Sequence, residues 1–162
     1  SFGTVVSVLT NNSDAKVIEK AKKSEVNTFI FNKSQLNEGL VLDELNKIKP
    51  DLIVLAGFLL KFPEHIIEEY PNKIINIHPA LLPKYGGKGM YGMNVHNAIF
   101  QNKEAKTGIT IHYVTPNYDE GAIIFQKSVT ISDCKTPEEI AQKVHQLEHK
   151  YFPKVIKDIL GT

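Results

Sequence analysis

The longest run of apolar residues in the chain is LIVLAGFLL, at positions 52–60, and it limits what the chain can fold into. A helix that crosses a membrane needs about 20 such residues, so this run is too short to span a bilayer. Its first five residues are apolar on both faces, which is typical of a parallel strand buried in the middle of a sheet. We therefore predict a buried central strand at residues 52–56 and no membrane as a partner.

Strand-like and helix-like patterns alternate along the chain. Short runs rich in β-branched residues predict strands, and apolar residues spaced three or four apart predict helices. The predicted strands are residues 4–10, 27–31, 52–56, 73–77, 108–115 and 122–131. The predicted helices are residues 14–23, 36–48, 63–70, 93–101 and 137–160. This order indicates an α/β fold, Rossmann-like, with a mainly parallel open sheet flanked by helices and an antiparallel edge pair near the C-terminus.

Length, charge and cysteine content indicate the number of domains, the partners and the compartment of the protein. The 162 residues contain no internal repeat or linker, so residues 1–162 are expected to form a single domain. The 19 basic residues nearly balance the 18 acidic ones, which argues against nucleic acid as a partner. The one cysteine, Cys134, fits a reducing compartment. We expect a cytoplasmic monomer or homodimer that acts on small molecules.

The first candidate for chemistry is Asn76 with His78, at the end of the predicted strand KIINI. Residues two apart on a strand point to the same side, and ligands of open α/β sheets bind beyond the carboxyl ends of the strands. An amide that donates to a developing oxyanion, beside an imidazole that titrates near neutral pH, suits acyl-type transfer. The alternative is that His78 is a hydrogen-bonded packing residue.

The second candidate is Asp119, in the turn YDEG between the last two predicted strands. Its carboxylate would face the same cleft and raise the pKa of His78 if the turn folded toward it. An aspartate that only supports the turn through its own backbone is the simpler interpretation, and the residues alone favour it.

The third candidate is HQLEH, at positions 145–149 of the last predicted helix. It matches the H-x-x-E-H pattern of some zinc hydrolases, although a catalytic zinc needs a third protein ligand. A solvated helix face is the simpler alternative. In a third interpretation, Glu148 alone receives a cationic or hydroxyl-bearing substrate.

Four segments together resemble the phosphoribosylglycinamide formyltransferase family. They are DLIVLAGFLLKF, KIINIHPALLPKYGG, TGITIHYVTPNYDEG and KVHQLEHKYFPKVI, and the resemblance extends from about residue 3 to residue 160. It implies a formyltransferase domain that transfers a formyl group from 10-formyltetrahydrofolate to the amino group of glycinamide ribonucleotide, in purine biosynthesis. Folate is then a cosubstrate, and no metal is implied.

The resemblance also implies roles for individual residues. Asn76 would hydrogen-bond the formyl oxygen, His78 would stabilise the tetrahedral intermediate and act as general acid, and Asp119 would hold His78 protonated. The residues implied in folate binding are Leu59, Leu60, Lys61, Phe62, Asn76, Tyr118, Asp119 and Glu120. Those implied in binding the ribonucleotide are Pro79, His145 and Glu148.

Two departures from the family pattern stand out. Family members begin with a strand, a phosphate-binding loop and a helix, and these are expected to be missing from the start of this chain. Leu60 stands where many relatives carry a basic residue, and His145 where many carry glutamine. The alternatives left open are a formyltetrahydrofolate hydrolase, a sugar-amine formyltransferase, an inactive folate-binding module and a zinc hydrolase using HQLEH.

Overall fold

Helices and strands alternate through residues 2–161, which are the residues that the computed structural model of the chain describes. The strands are β1 (Ser7–Thr10), β2 (Asn27–Ile30), β3 (Ile53–Leu55), β4 (Ile74–His78), β5 (Lys106–Tyr113) and β6 (Ile123–Thr130). The helices are α1 (Lys16–Lys23), α2 (Lys33–Asn37), α3 (Leu40–Ile48), α4 (Glu64–Glu69), α5 (Met93–Gln101) and α6 (Pro137–Ile159). This order confirms the predicted α/β class.

The chain divides into two compact units between Asp51 and Leu52. In the first unit, β1 and β2 form a parallel pair, with Ser7 opposite Asn27, and α1 packs on it. The predicted helix at residues 36–48 is wrong as a single element. Gly39 adopts a φ of +103°, a conformation that few other residues tolerate, and it separates α2 from α3.

The second unit contains a four-stranded sheet in the order β3-β4-β5-β6. The β3–β4 pair is parallel, and both the β4–β5 and β5–β6 pairs are antiparallel. The predicted antiparallel pair is therefore present, and antiparallel pairing extends one strand further than expected. The predicted central position of β3 is wrong for the described residues, because β4 is its only partner there and Val54 remains 39% exposed. Apolar side chains on both faces did not reveal which strand would be its neighbour.

The core of this second unit lies between the sheet and helices α5 and α6. Strands β4 and β5 supply isoleucines, which pack with aliphatic side chains of the two helices. The buried side chains are Ile75, Ile77, Ile109, Ile111, Val95, Ile99, Ile140 and Val144. The start of α6 is stabilised by Thr136, whose hydroxyl accepts a hydrogen bond from the Glu139 N–H at 3.2 Å. Within residues 2–161, no helix is both long enough and apolar enough to cross a membrane.

The turn between β5 and β6 depends on a glycine. A Cβ atom at Gly121 would lie 1.6 Å from the carbonyl oxygen of Tyr113, so no other residue fits there without moving the backbone. This close approach holds the turn against the end of β5. Asp119, two residues earlier, has a φ of +56°, a left-handed conformation that aspartate and asparagine tolerate better than most residues. The turn therefore fixes the position from which the Asp119 carboxylate projects.

Candidate active site

The pairing of β4 with β5 places four polar side chains at one end of the sheet. In this register Asn76 lies opposite His112, and His78 lies opposite Thr110. Asn76 and His78 are two residues apart on β4, which puts their side chains on the same side of the sheet as predicted. His78 is only 3% exposed and His112 only 2% exposed. Both imidazoles are therefore largely removed from bulk water.

His112 fixes the orientation of the Asn76 amide. Its Nδ1 lies 2.9 Å from the carbonyl oxygen of Tyr113, and because a carbonyl only accepts, Nδ1 carries a proton. In the neutral ring Nε2 is then an acceptor, and it lies 3.2 Å from the Asn76 Nδ2. This contact occupies one N–H of the Asn76 amide and leaves the second N–H free to donate. His112 is not among the residues predicted to act in catalysis or substrate binding, although a histidine within the largely apolar stretch GITIHYV is a usable signal.

His78 is held in one tautomer by the loop that follows β4. Its Nε2 lies 2.7 Å from the carbonyl oxygen of Tyr85, so Nε2 carries a proton in every protonation state. The other nitrogen, Nδ1, has no proton while the ring is neutral. A proton that His78 gives to a ligand through Nδ1 must therefore come from the imidazolium form.

Hydrogen bonds hold that loop in place. The Thr110 hydroxyl donates to the Ala80 carbonyl at 2.7 Å and accepts from the Leu82 N–H at 3.0 Å. Gln126 donates to the Leu82 carbonyl at 2.9 Å. The Tyr85 hydroxyl donates to Glu104 at 2.9 Å. These bonds anchor both ends of the segment that carries the Tyr85 carbonyl to His78.

The Asp119 carboxylate lies close to both imidazoles. Its Oδ1 lies 3.6 Å from the His78 Nδ1 and 3.6 Å from the His112 Nε2. Its Oδ2 accepts a hydrogen bond from the Gly87 N–H at 3.0 Å. The adjacent Gly86 leaves room for this arrangement, because a Cβ there would lie 3.3 Å from the Asp119 Cβ and 2.5 Å from Leu82. The carboxylate thus reaches the site instead of only supporting its own turn.

Burial and charge oppose each other in the pKa values of this cluster. Burial lowers the pKa of His78 below 6.5, and the Asp119 charge and the Tyr85 carbonyl only partly offset that effect. Burial by itself would raise the pKa of Asp119, but the imidazolium forms of His112 and His78 and the Gly87 N–H together lower it. His78 is therefore mostly neutral at neutral pH, and the role of Asp119 in holding it protonated stays a prediction.

The remaining residues predicted to bind folate lie in two segments. Phe62 is buried and packs edge-on against Phe58 with ring centroids 5.9 Å apart, whereas Leu60 is half-buried and Leu59 and Lys61 are exposed. Tyr118 and Glu120 flank Asp119 and are both exposed. The role of both segments in binding folate stays a prediction.

The residues predicted to bind the ribonucleotide lie at the end of β4 and on α6. Pro79 follows His78 and is half-buried, and Glu148 is also half-buried, while His145 is exposed. Burial raises the pKa of Glu148, although His145 and His149 oppose this effect. No group of three or more His, Cys, Asp or Glu side chains in the described part of the chain is arranged to hold a metal ion. The zinc-hydrolase alternative thus gains no support from HQLEH.

His96 on α5 is a further buried histidine, and it is not among the residues predicted to act in catalysis or substrate binding. It is 2% exposed, and burial lowers its pKa to about 4, with the charges of His145 and His78 contributing in the same direction. These two histidines are close enough to affect the charge of the His96 ring. The pKa of His96 therefore depends on the charge of one residue at the end of β4, His78, and of one residue on α6, His145.

The pKa of His96 predicts an acid-dependent loss of stability. The folded pKa of about 4 lies below the usual 6.5, so between these pH values the unfolded chain binds a proton that the folded chain does not. The free energy of unfolding should fall as pH decreases through this range, with His96 contributing about 3 kcal/mol. Urea unfolding of the wild type and His96→Leu at pH 7 and 4.5 measures this contribution. We expect a smaller pH dependence in the variant, and equal pH dependence in the two proteins would contradict the assignment.

A family model described as formyl transferase matches residues 1–156. This match covers nearly the whole chain and includes Asn76, His78, His112 and Asp119. The chain therefore belongs to the formyl transferase family.

Within that family, the chain is similar to proteins named phosphoribosylglycinamide formyltransferase. It is 40% identical to the one from Bacillus subtilis over 91% of this chain and 75% of that protein. It is 38% identical to the chloroplastic one from Arabidopsis thaliana over 95% of this chain. A crystal structure of the one from Anaplasma phagocytophilum matches 99% of this chain and 76% of its own, with a TM-score of 0.89 and 31% identity. The chain spans about half the length of the chloroplastic relatives, at 55% and 51%.

Proposed function

We propose that this chain transfers a formyl group from 10-formyltetrahydrofolate to the amino group of glycinamide ribonucleotide, a step of purine biosynthesis. The main support is the cluster in which the Asp119 Oδ1 lies 3.6 Å from the His78 Nδ1 and 3.6 Å from the His112 Nε2. The Asn76 amide contacts the same His112 nitrogen. The cluster offers a free amide N–H and a protonatable imidazole within one site. The names of the relatives supply the acceptor.

The reaction requires charge stabilisation that this cluster is suited to give. The amino group attacks the formyl carbon, its N–C bond forms, and the electrons of the C=O bond move onto the oxygen. The free N–H of Asn76 donates to that oxyanion, and His78 in its imidazolium form donates through Nδ1. Removing one such donor typically costs about 10²–10³-fold in rate.

The tetrahedral intermediate then collapses toward products. The C=O bond re-forms, the bond from the formyl carbon to folate nitrogen breaks, and that nitrogen takes up a proton. The attacking nitrogen, now positively charged, loses one. Asp119, with its lowered pKa, is anionic at neutral pH and stabilises the imidazolium form of His78 during this proton exchange. Each proton that leaves one nitrogen is balanced by one delivered to the other.

The two substrates are assigned to different parts of the chain. We infer that folate binds near residues 59–62 and the turn around Asp119, with Leu60 contributing only apolar contact. Pro79, His145 and Glu148 are assigned to the ribonucleotide. We also infer that residues 1–162 belong to a single formyltransferase domain, since the family match runs across the boundary between the two compact units. The single cysteine favours a reducing compartment such as the cytoplasm.

A formyl-transfer assay tests the proposal. The purified chain receives a 10-formyl folate and glycinamide ribonucleotide, and formylated amine and free formate are both measured. We expect formylated ribonucleotide, and no formate above the rate without enzyme when the amine is omitted. Formate release without an amine would instead identify a hydrolase, and formylation of an amino sugar in preference to the ribonucleotide would identify the sugar-amine alternative.

Binding of a 10-formyl folate analogue is measured separately by titration calorimetry. Binding without turnover of any of these acceptors would overturn the proposal and favour the inactive folate-binding module. Absence of both binding and turnover, in a sample shown to be folded, would overturn the folate assignment as well.

A further inference from the structure

His96 carries a buried polar atom that the structure leaves without a partner. The side chain lies in the first half of α5 and is 2% exposed, and its Nδ1 has no hydrogen bond. Buried polar atoms in proteins nearly always have a partner, because an unpaired one costs free energy of desolvation. An unpaired nitrogen beside a catalytic cluster is a position where a ligand atom gains a hydrogen bond on binding.

The surroundings of His96 indicate what kind of ligand group could bind to its Nδ1. His78 and His145 are both close enough to lower the pKa of His96. In the proposed function, His78 acts on the formyl group and His145 binds the ribonucleotide. With a pKa of about 4, the His96 ring is neutral at neutral pH. A neutral imidazole offers one N–H and one lone pair, so it suits an uncharged group that both donates and accepts. A phosphate is a poor fit, since the ring brings no positive charge to it.

We propose that His96 binds the acceptor substrate, with its Nδ1 forming a hydrogen bond to the attacking amino group. This inference rests on the proposed function and adds a residue that neither the sequence motifs nor the relatives' names indicate. The hydrogen bond leaves the nitrogen lone pair free to attack when the amine donates an N–H to Nδ1. His96 thereby orients the nucleophile toward the formyl carbon next to His78.

Two substitutions of different geometry test this role. In His96→Asn, an amide atom takes approximately the place of Nδ1, whereas His96→Leu fills the space without a polar atom. We expect His96→Leu to raise KM for the amine roughly 3–10-fold and to leave KM for the folate unchanged, because one hydrogen bond is lost. His96→Asn should keep KM for the amine within about twofold of the wild type.

His65→Leu is the matched control. His65, on α4, also has a buried ring nitrogen without a partner, its Nε2, and it lies outside the cluster around Asp119. Its replacement should leave both KM values unchanged. Equal KM values for the amine in the wild type and His96→Leu would overturn the proposal, as would a rise that His96→Asn reproduces in full.

A binding measurement separates this inference from the proposed function. Glycinamide ribonucleotide is titrated into wild-type protein labelled with ¹⁵N at histidine, and the Nδ1 resonance of His96 is followed. A shift on binding supports the hydrogen bond whether or not formyl transfer occurs. Formyl transfer by a wild type whose His96 resonance does not move would uphold the function and overturn the role of His96. Absence of both transfer and shift would overturn both.

Discussion

His78→Ala is expected to lower kcat by about 10²–10⁴-fold, the range typical of losing a general acid in a preorganised site. The imidazole is 3% exposed and hydrogen-bonded through Nε2 to Tyr85, so its Nδ1 is the nitrogen left to act on a ligand. Alanine removes that proton donor, and water cannot replace it with a defined geometry. The measurement is steady-state kinetics with both substrates, together with a thermal melt of the same sample.

A second variant separates chemistry from packing. His78→Gln places an amide near the position of Nε2, which preserves the contact with the Tyr85 carbonyl but supplies no acid at the Nδ1 position. We expect it to melt near the wild type and still lose most of the turnover. His65→Ala, outside the cluster, is the matched control and should retain wild-type turnover. A His78→Gln enzyme with normal kcat would show that His78 is a packing residue.

The sequence alone could predict that Asn76 and His78 lie on the same side of one strand, because the two residues are close together in the chain. Alternation along a strand puts residues two apart on one side, and the strand KIINI was recognisable from its β-branched residues. The structure adds the contacts that determine how these side chains work. The Asn76 amide is oriented by His112, 36 residues away along the chain, through a pairing of β4 with β5 that local patterns do not specify.

The tautomer of His78 was inaccessible for a similar reason. It depends on the Tyr85 carbonyl, and a backbone oxygen has no signature in the sequence. The loop brings that oxygen to the ring because Thr110 and Gln126, from β5 and β6, bind its backbone. Asp119 is an intermediate case. The YDEG turn was recognisable, but its approach to the two histidines requires the close contact of Gly121 with Tyr113.

Errors in the fold have equally specific causes. The apolar pattern of residues 36–48 continues through Gly39, so periodicity predicted one helix where the backbone turns at a positive φ. For β3, apolar residues on both faces indicated burial but contained no information on strand order. Both errors lie outside the segments that supply Asn76, His78 and Asp119. The site prediction was therefore insensitive to them.

Asp119→Asn is expected to lower kcat at neutral pH by about 10–10³-fold. Asparagine has nearly the same shape, tolerates the φ of +56°, and can still accept the Gly87 N–H, so the main change is loss of charge. An opposite charge at this distance typically raises the pKa of a histidine by about 1–3 units. Its removal lets burial lower the pKa of His78 further, and the fraction of His78 in the imidazolium form falls correspondingly.

The deficit in kcat of Asp119→Asn should change with pH in a defined direction. Activity that needs the imidazolium form is lost as pH rises through the pKa of His78, so in Asp119→Asn that loss should begin at lower pH. The deficit relative to the wild type should shrink as pH is lowered, because His78 becomes protonated in both proteins. Profiles of kcat against pH for the two enzymes measure this, with Asp133→Asn as the control for an exposed carboxylate that pairs with Lys143.

The two substitutions together distinguish an electrostatic role of Asp119 from a positional one. If Asp119 acts through the charge of His78, the double variant with Asp119→Asn and His78→Gln should have a kcat close to that of His78→Gln alone. The effects of substituting residues in direct contact are generally not additive. If Asp119 mainly holds the turn, its effect should be independent of pH and should multiply with that of His78→Gln. A deficit that stays constant from low to high pH would therefore overturn the charge mechanism and leave Asp119 with a role in positioning the turn. Because Asn preserves the contact with Gly87, we expect the pH-dependent outcome.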